Sequence, residues 1–288
     1  MTANILDGKL VAANYQNEIK NYIIDNNLKH KITLAVILVG TDPASEIYVR
    51  NKKIACQNVG INAHEYYLPE ESTEQQILDL IARLNNHNEI HGILLQLPLP
   101  KHLSNEKINS LILSTIDAKK DVDGFNPYNF GLLALRLPRI RPCTPKGIIK
   151  LLNHYNIPIK SKNITVVGAS NIVGRPLALE MLIAGGTVTI CHKFTTDLKQ
   201  HCLNADILCT AVGIPNLIPA DYIKPGATVI DIGITKLANG SLSGDVDFEQ
   251  AKKVAKNITP VPGGVGPMTI AMLLENTIEC YKLSLLEN

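Results

Sequence analysis

Residues 32–39 (ITLAVILV) form an unbroken apolar, β-branched run that stops at Gly40. That pattern predicts a strand buried on both faces, and so a parallel sheet. Ahead of it, over residues 8–28, Leu10, Ile19, Ile23 and Ile24 recur at helical spacing. Behind it, Thr41-Asp42-Pro43 has the chemistry of a helix start, with Asp42 as N-cap and Pro43 in the first turn. The helix it opens is expected to run to about residue 59 and to end at Gly60. A short strand at 63–68, a helix at 73–84 and a second buried strand at 92–97 (GILLQL) continue the alternation. Strand and helix in turn predict an α/β layer architecture.

Residues 136–145 (RLPRIRPCTP) hold three prolines. Proline disfavours both helix interior and central strand, so this stretch is the predicted linker. Beyond it the βαβ rhythm restarts, with strands expected at 164–168, 187–191, 206–212 and 228–232 and a helix at 175–184. The chain then passes through a loop rich in Gly and Pro at 260–267 (PVPGGVGP) to a helix expected at 268–285. No internal repeat is present.

Composition narrows the class. The 288 residues carry 28 Lys and Arg against 26 Asp and Glu, a net charge of +2. A balance so near zero, with the basic residues scattered, argues against a nucleic-acid binder. No apolar run reaches the ~18 residues a membrane span needs, and the first nine residues lack the charged-then-apolar pattern of a signal peptide. The six cysteines are spread out with no C-x-x-C, which suits a reducing compartment. A cytoplasmic protein is expected.

Five motifs carry candidate chemistry. Gly168-Ala169-Ser170-Asn171-Ile172-Val173-Gly174-Arg175-Pro176 links an apolar strand to a helix, where backbone can approach a pyrophosphate. Its spacing departs from G-x-G-x-x-G and equally fits a plain strand-to-helix turn. A carboxylate at the end of the next strand would repel a 2′-phosphate. Here that strand runs into His192-Lys193, and Arg175 adds a further charge, so NADP is favoured over NAD. Tyr48 and Lys52 stand four residues apart on one helix face, where a phenol and an amine can orient a substrate and move a proton, or simply decorate a surface. Gln96, in the apolar LLQLPLP run, buries an amide that demands partners. Lys120-Asp121-Val122-Asp123-Gly124-Phe125 offers a carboxylate to the N–H groups of a heterocycle, or a capped turn. Pro262-Gly263-Gly264-Val265-Gly266-Pro267-Met268-Thr269 is a backbone-shaped loop before a helix, suited to a flat ligand or a hinge. His87 and His91 lack a third ligand, so no metal site is expected.

In series, QLPLP, KDVDGF, GASNIVGRP and PVPGGVGPMT resemble the bifunctional methylenetetrahydrofolate dehydrogenase/methenyltetrahydrofolate cyclohydrolase family over essentially the whole chain. The resemblance implies an N-terminal α/β folate-binding catalytic domain (1–142 and 268–288) and a C-terminal Rossmann-type NADP-binding domain (143–267). The C-terminal helix would return to the first domain, and the protein would be a homodimer. The resemblance also implies a catalytic lysine at Lys52, a substrate-stacking tyrosine at Tyr48, a glutamine tuning the lysine at Gln96 and a pterin-holding aspartate at Asp123. It places Pro262, Gly263 and Gly264 along the folate pocket. Gly168, Ala169 and Ser170 would form the phosphate-side turn, and Ile234 would lie near the nicotinamide. Some members carry Arg at the position of Ala169 to hold the 2′-phosphate; here that work falls to Arg175, His192 and Lys193. The implied activity is NADP-dependent oxidation of 5,10-methylenetetrahydrofolate to the methenyl form, then hydrolysis to 10-formyltetrahydrofolate. A different Rossmann dehydrogenase, or a dinucleotide-responsive binding protein, explains the second half alone and leaves Gln96, Asp123 and the PGGVG loop unassigned.

Overall fold

The computed structural model describes residues 2–286, apart from the side chain of Ala44. In chain order its elements are β1 (Asn4–Ile5), α1 (Gly8–Asp25), β2 (Thr33–Val39), α2 (Pro43–Val59), β3 (Asn62–Leu68), α3 (Glu74–Asn85) and β4 (Gly92–Leu95). Helices α4 (Glu106–Thr115), α5 (Pro127–Ala134) and α6 (Cys143–His154) follow. Then come β5 (Asn163–Val167), α7 (Gly174–Ile183), β6 (Thr187–Cys191), α8 (Leu198–Leu203), β7 (Ile207–Thr210) and β8 (Thr228–Asp231). The chain closes with β9 (Thr235–Lys236), β10 (Leu242–Ser243), α9 (Phe248–Ala251), β11 (Asn257–Ile258) and α10 (Val265–Leu285).

Two compact units result. One comprises Asn14–Cys143 and the chain from Ile270 on; the other comprises the chain up to Ala13 and Thr144–Thr269. The first residues were expected with the N-terminal domain. They fold with the second unit because β1 pairs in parallel with β11, Asn4 opposite Asn257 and Ile5 opposite Ile258.

The first unit is built on a parallel sheet of order β3-β2-β4. All seven residues of the central strand β2 are buried, as its unbroken apolar run requires. One face of this sheet packs on α3 through Ala35, Ile37, Ile77 and Ile81. Helix α2 starts and stops where the sequence says: Asp42 accepts from Ser45 N at 2.8 Å, and Gly60 closes the C-terminus by donating to Cys56 O and Gln57 O. The C-terminal helix belongs here from Ile270 on. Asn276 Nδ2 donates to Val122 O and Arg141 O, each at 2.8 Å, and Lys282 Nζ lies 4.8 Å from the centre of the Tyr22 ring on α1. Helix α10 begins at Val265 rather than near Met268, because Pro267 in a first turn removes an N–H that has no partner there anyway.

The second unit holds a six-stranded sheet of order β1-β11-β8-β7-β5-β6, parallel throughout. The chain leaves β5 outward to β6 and returns to β7 on the other side, so the β5/β7 boundary is the switch point where such sheets open a crevice. The proline-rich linker is shorter than expected, since α6 starts at Cys143 and takes Pro145 into its first turn.

Candidate active site

In the three-stranded unit the site grows from strand ends. β4 finishes at Leu95, and the next residue, Gln96, stays registered on the sheet through Gln96 N donating to Ile37 O at 2.9 Å. Its buried amide finds the partners it needs: Nε2 donates to Leu97 O at 2.6 Å, and Oε1 accepts from Lys52 Nζ at 3.0 Å. Lys52 comes from α2, half-buried, with Tyr48 one turn earlier and 38% exposed.

The KDVDGF segment lies alongside β4, with Ile93 N donating to Lys120 O at 2.7 Å. Its charged side chains divide the work. Lys120 Nζ donates to the carbonyls of Leu84, Asn85 and His87 at the C-terminal end of α3, where a cation is favoured. Asp121 is spent on structure: its Oδ2 accepts from Asn126 N at 2.8 Å and Asn129 Nδ2 at 2.9 Å. Burial pushes its pKa up to about 6 against these hydrogen bonds. Asp123 is the carboxylate whose side chain feels Lys52. Burial raises its pKa, while the Lys52 charge and the Cys143 thiol hold it down. Gly124 makes the turn after it, with φ +71 and a Cβ position only 2.7 Å from Arg141 C. Lys52 is therefore linked to Gln96 by a hydrogen bond and to Asp123 by its charge.

In the six-stranded unit, β5 ends at the Gly168 turn. Gly168 has φ +117, and a Cβ there would lie 2.4 Å from Ala211 O; one at Gly174 would lie 2.0 Å from Gly168 O. The two glycines are required by backbone packed on backbone, which the spacing alone left undecided. Ser170 Oγ accepts from Val173 N at 3.2 Å and Gly174 N at 3.3 Å, tightening the turn into α7. Gly168 N donates to Cys191 O at 2.9 Å, which sets the turn beside His192 and Lys193 at the end of β6. His192 Nδ1 accepts from Phe194 N at 3.2 Å, and Lys193 Nζ lies 4.9 Å from the Phe194 ring centre. Arg175, exposed, is hydrogen-bonded to Asn171 Oδ1. Ala169 is half-buried in the turn, and Ile234 is 41% exposed after β8. These residues fit NADP: a glycine cradle without side-chain bulk, cationic groups at the next strand end and no carboxylate there.

Pro262, Gly263 and Gly264 belong to this same unit. Gly263 O accepts from Lys9 N at 3.1 Å, and Gly264 N donates to Pro260 O at 2.9 Å, while Pro262 is exposed. His91 Nδ1 accepts from Thr33 N at 3.1 Å, and no cluster of metal-ligating side chains exists among the described residues. Sequence reasoning passed over two buried carboxylates, Asp231 at the end of β8 and Asp245 in the loop after β10; an aspartate closing the apolar run TVID was the available signal.

Residues 6–123 match the tetrahydrofolate dehydrogenase/cyclohydrolase catalytic domain, and residues 142–285 match the NAD(P)-binding domain of the same family. The chain belongs to the tetrahydrofolate dehydrogenase/cyclohydrolase family. It is 53% identical over 286 residues to the bifunctional protein FolD of Neisseria gonorrhoeae (strain NCCP11945), covering 98% of this chain and 99% of that protein. Among solved structures it resembles the bifunctional FolD of Campylobacter jejuni, with TM-score 0.92 and 47% identity over 98% of this chain and 99% of that one. It also resembles the Trypanosoma brucei FolD complexed with NADP cofactor and inhibitor, with TM-score 0.93 and 36% identity over 99% of both chains. The two-domain α/β architecture of the tetrahydrofolate dehydrogenase/cyclohydrolase family is thus the one described above.

Proposed function

We propose that the protein is a bifunctional one-carbon folate enzyme that oxidises 5,10-methylenetetrahydrofolate with NADP and hydrolyses the 5,10-methenyl product to 10-formyltetrahydrofolate. The observation that carries this reading is the Lys52–Gln96 hydrogen bond beside Asp123, at the C-terminal edge of a parallel sheet, in a chain that belongs to the family along its length.

Each side chain then has a task. Asp123 accepts from the N–H groups of the pterin ring, and the face of Tyr48 stacks on the ring. Bound NADP supplies the hydride acceptor. The Lys52 amine takes a proton from the water that attacks the methenyl carbon. The C–N5 bond then breaks as the hydroxyl becomes the formyl carbonyl, and its proton passes to N5. Lys52 returns the water's other proton to solvent. Gln96 keeps the amine aimed. Pro262, Gly263 and Gly264 line the folate pocket as backbone. Gly168, Ala169 and Ser170 receive the cofactor phosphates; Arg175, His192 and Lys193 receive the 2′-phosphate; Ile234 lies against the nicotinamide. We place the catalytic domain at 14–143 and from 270 on, and the nucleotide domain at 144–269 together with the chain up to Ala13, in place of the boundaries at 1–142, 268–288 and 143–267 that the resemblance implies. A homodimer in the cytoplasm completes the reading. Six buried cysteines, none joined in a disulfide among the described residues, support a reducing compartment, and among the described residues no helix is long and apolar enough to cross a membrane.

The test incubates purified protein with methylenetetrahydrofolate and either NADP or NAD, following reduced nucleotide and methenyl product separately. Reduction of NADP with little methenyl accumulation is expected. Turnover with neither nucleotide overturns the enzyme reading, and accumulation of methenyl product overturns the hydrolytic role of Lys52 and Gln96.

A further inference from the structure

Two buried carboxylates in the six-stranded unit take no part in the reaction above, yet they organise the edge of the sheet where the nucleotide is proposed to lie. Asp245 is fully buried. Its Oδ2 accepts from Val212 N at 2.7 Å, and its Oδ1 accepts from Gly213 N and Ile214 N, each at 2.9 Å. Three successive amides of the loop after β7 thus converge on one side chain. Asp231, the last residue of β8, holds that side chain's own backbone. Asp231 Oδ1 accepts from Asp245 N and Gly233 N at 3.0 Å and from Thr210 Oγ1 at 3.2 Å, while Oδ2 accepts from Val246 N at 2.9 Å. The packing leaves no slack: a Cβ at Gly233 would meet Asp245 Oδ1 at 2.2 Å, and one at Gly244 would meet Asp231 Oδ2 at 2.0 Å. Thr235 Oγ1 ties the two loops again by donating to Gly213 O at 3.0 Å.

With their amides turned inward, these loops leave aliphatic side chains outward. Val212, Ile214 and Ile234 are 40%, 50% and 41% exposed. Exposed aliphatics on so restrained a backbone are suited to a flat apolar ring. Strands β5, β7 and β8 are consecutive neighbours in the sheet. At the usual strand spacing, the ends of β5 and β8 are about 10 Å apart, a span that a dinucleotide crosses between its pyrophosphate and its far ring.

We propose that Asp245, itself fixed by Asp231, is a positioning residue for the nicotinamide end of the nucleotide site. By gathering the amides of Val212, Gly213 and Ile214 it sets Val212 and Ile214, with Ile234, as the surface on which the nicotinamide rests. The proposal deepens the NADP reading and rests on it. Only a carboxylate serves, because donors arrive at both oxygens. In Asp245→Asn the amide nitrogen must face either Val212 N–H or the N–H groups of Gly213 and Ile214, donor against donor.

The experiment compares binding of NADP and of 2′,5′-ADP, the half-cofactor that lacks the nicotinamide, by calorimetry to wild type and Asp245→Asn. NADP affinity is expected to fall about tenfold or more, with 2′,5′-ADP affinity kept. Unchanged NADP affinity, or equal loss for both ligands, overturns the positioning role. Should Asp245→Asn fail to fold, Ile214→Ser gives the same comparison from the exposed side of the loop: selective loss of NADP supports the proposal, and unchanged NADP affinity or equal loss for both ligands overturns it. A wild-type protein that binds neither ligand overturns the NADP reading itself, which keeps the two failures apart.

Discussion

Lys52 Nζ donates to Gln96 Oε1 across 3.0 Å, joining a helix side chain to the residue that follows a buried strand. Neither partner is free to wander, since Gln96 is also bound through its backbone to Ile37 O and through Nε2 to Leu97 O. The amine is therefore held at one place and in one direction. Removing it in Lys52→Met is expected to lower methenyltetrahydrofolate hydrolysis by at least about 100-fold, the scale of positioned proton transfer. Stopped-flow measurement of methenyl decay checks this, and hydrolysis at the wild-type rate would sink the role of the lysine. In Gln96→Ala, hydrolysis should fall further than substrate affinity does.

Asp123 is the half-buried carboxylate on which the Lys52 charge acts, and in the proposed function it accepts from a ring N–H. Asp123→Ala is expected to raise the KM for methylenetetrahydrofolate about 10- to 100-fold, the equivalent of a hydrogen bond to a charged group. The KM for NADP should stay where it is. Steady-state kinetics with each substrate varied in turn decide the matter, and an unmoved folate KM would remove the pterin contact.

At the other unit's edge, Lys193 follows β6, where a carboxylate would mark NAD use. Lys193→Ala should raise the KM for NADP about tenfold, on the scale of a charge-assisted phosphate contact, while the KM for NAD is unchanged. An unaltered ratio of the two constants would take Lys193 out of the 2′-phosphate site.

Asp121 gives a prediction about stability rather than rate. Its pKa in the folded protein lies at about 6, above its ordinary 3.8, so the fold favours the protonated form. Its contribution is fully present below pH 3.8 and is lost as pH rises through about 6. Asp121→Asn deletes that titration. Its stability relative to wild type should therefore improve by up to about 3 kcal/mol between pH 4 and pH 7. Urea unfolding at several pH values reads the difference, and a pH-independent gap between the two proteins would contradict it.

Much of this was legible along the chain because the informative elements were long or punctuated. β2 announced itself through six consecutive apolar residues after Thr33, and α2 through Asp42 and Gly60 at its ends. β1 and β11 are two residues each, too short to show a period, and their partnership spans about the whole chain. Helix α5 was not anticipated, although Asn126 and Pro127 open it with side-chain cap and first-turn proline. At the site, Gln96 was readable because a buried amide in an apolar strand needs partners. The division of labour between Asp121 and Asp123 was not, since both sit in the same short motif and only the positions of Asn126, Asn129 and Lys52 tell them apart. Asp245 was hidden for a similar reason, its three donors lying more than thirty residues upstream.

The side chain of Asn276 fastens the carbonyls of Val122 and Arg141 on either side of Asp123 and Gly124. Residues 144–269, which form most of the other unit, are synthesised between those carbonyls and the amide that secures them. On the ribosome the nucleotide unit can gather its six strands while the folate unit still lacks a helix, although folding from the N-terminus is the usual order. The nascent protein would then acquire its cofactor fold first, and the backbone around Asp123 would settle only as the last helix emerges.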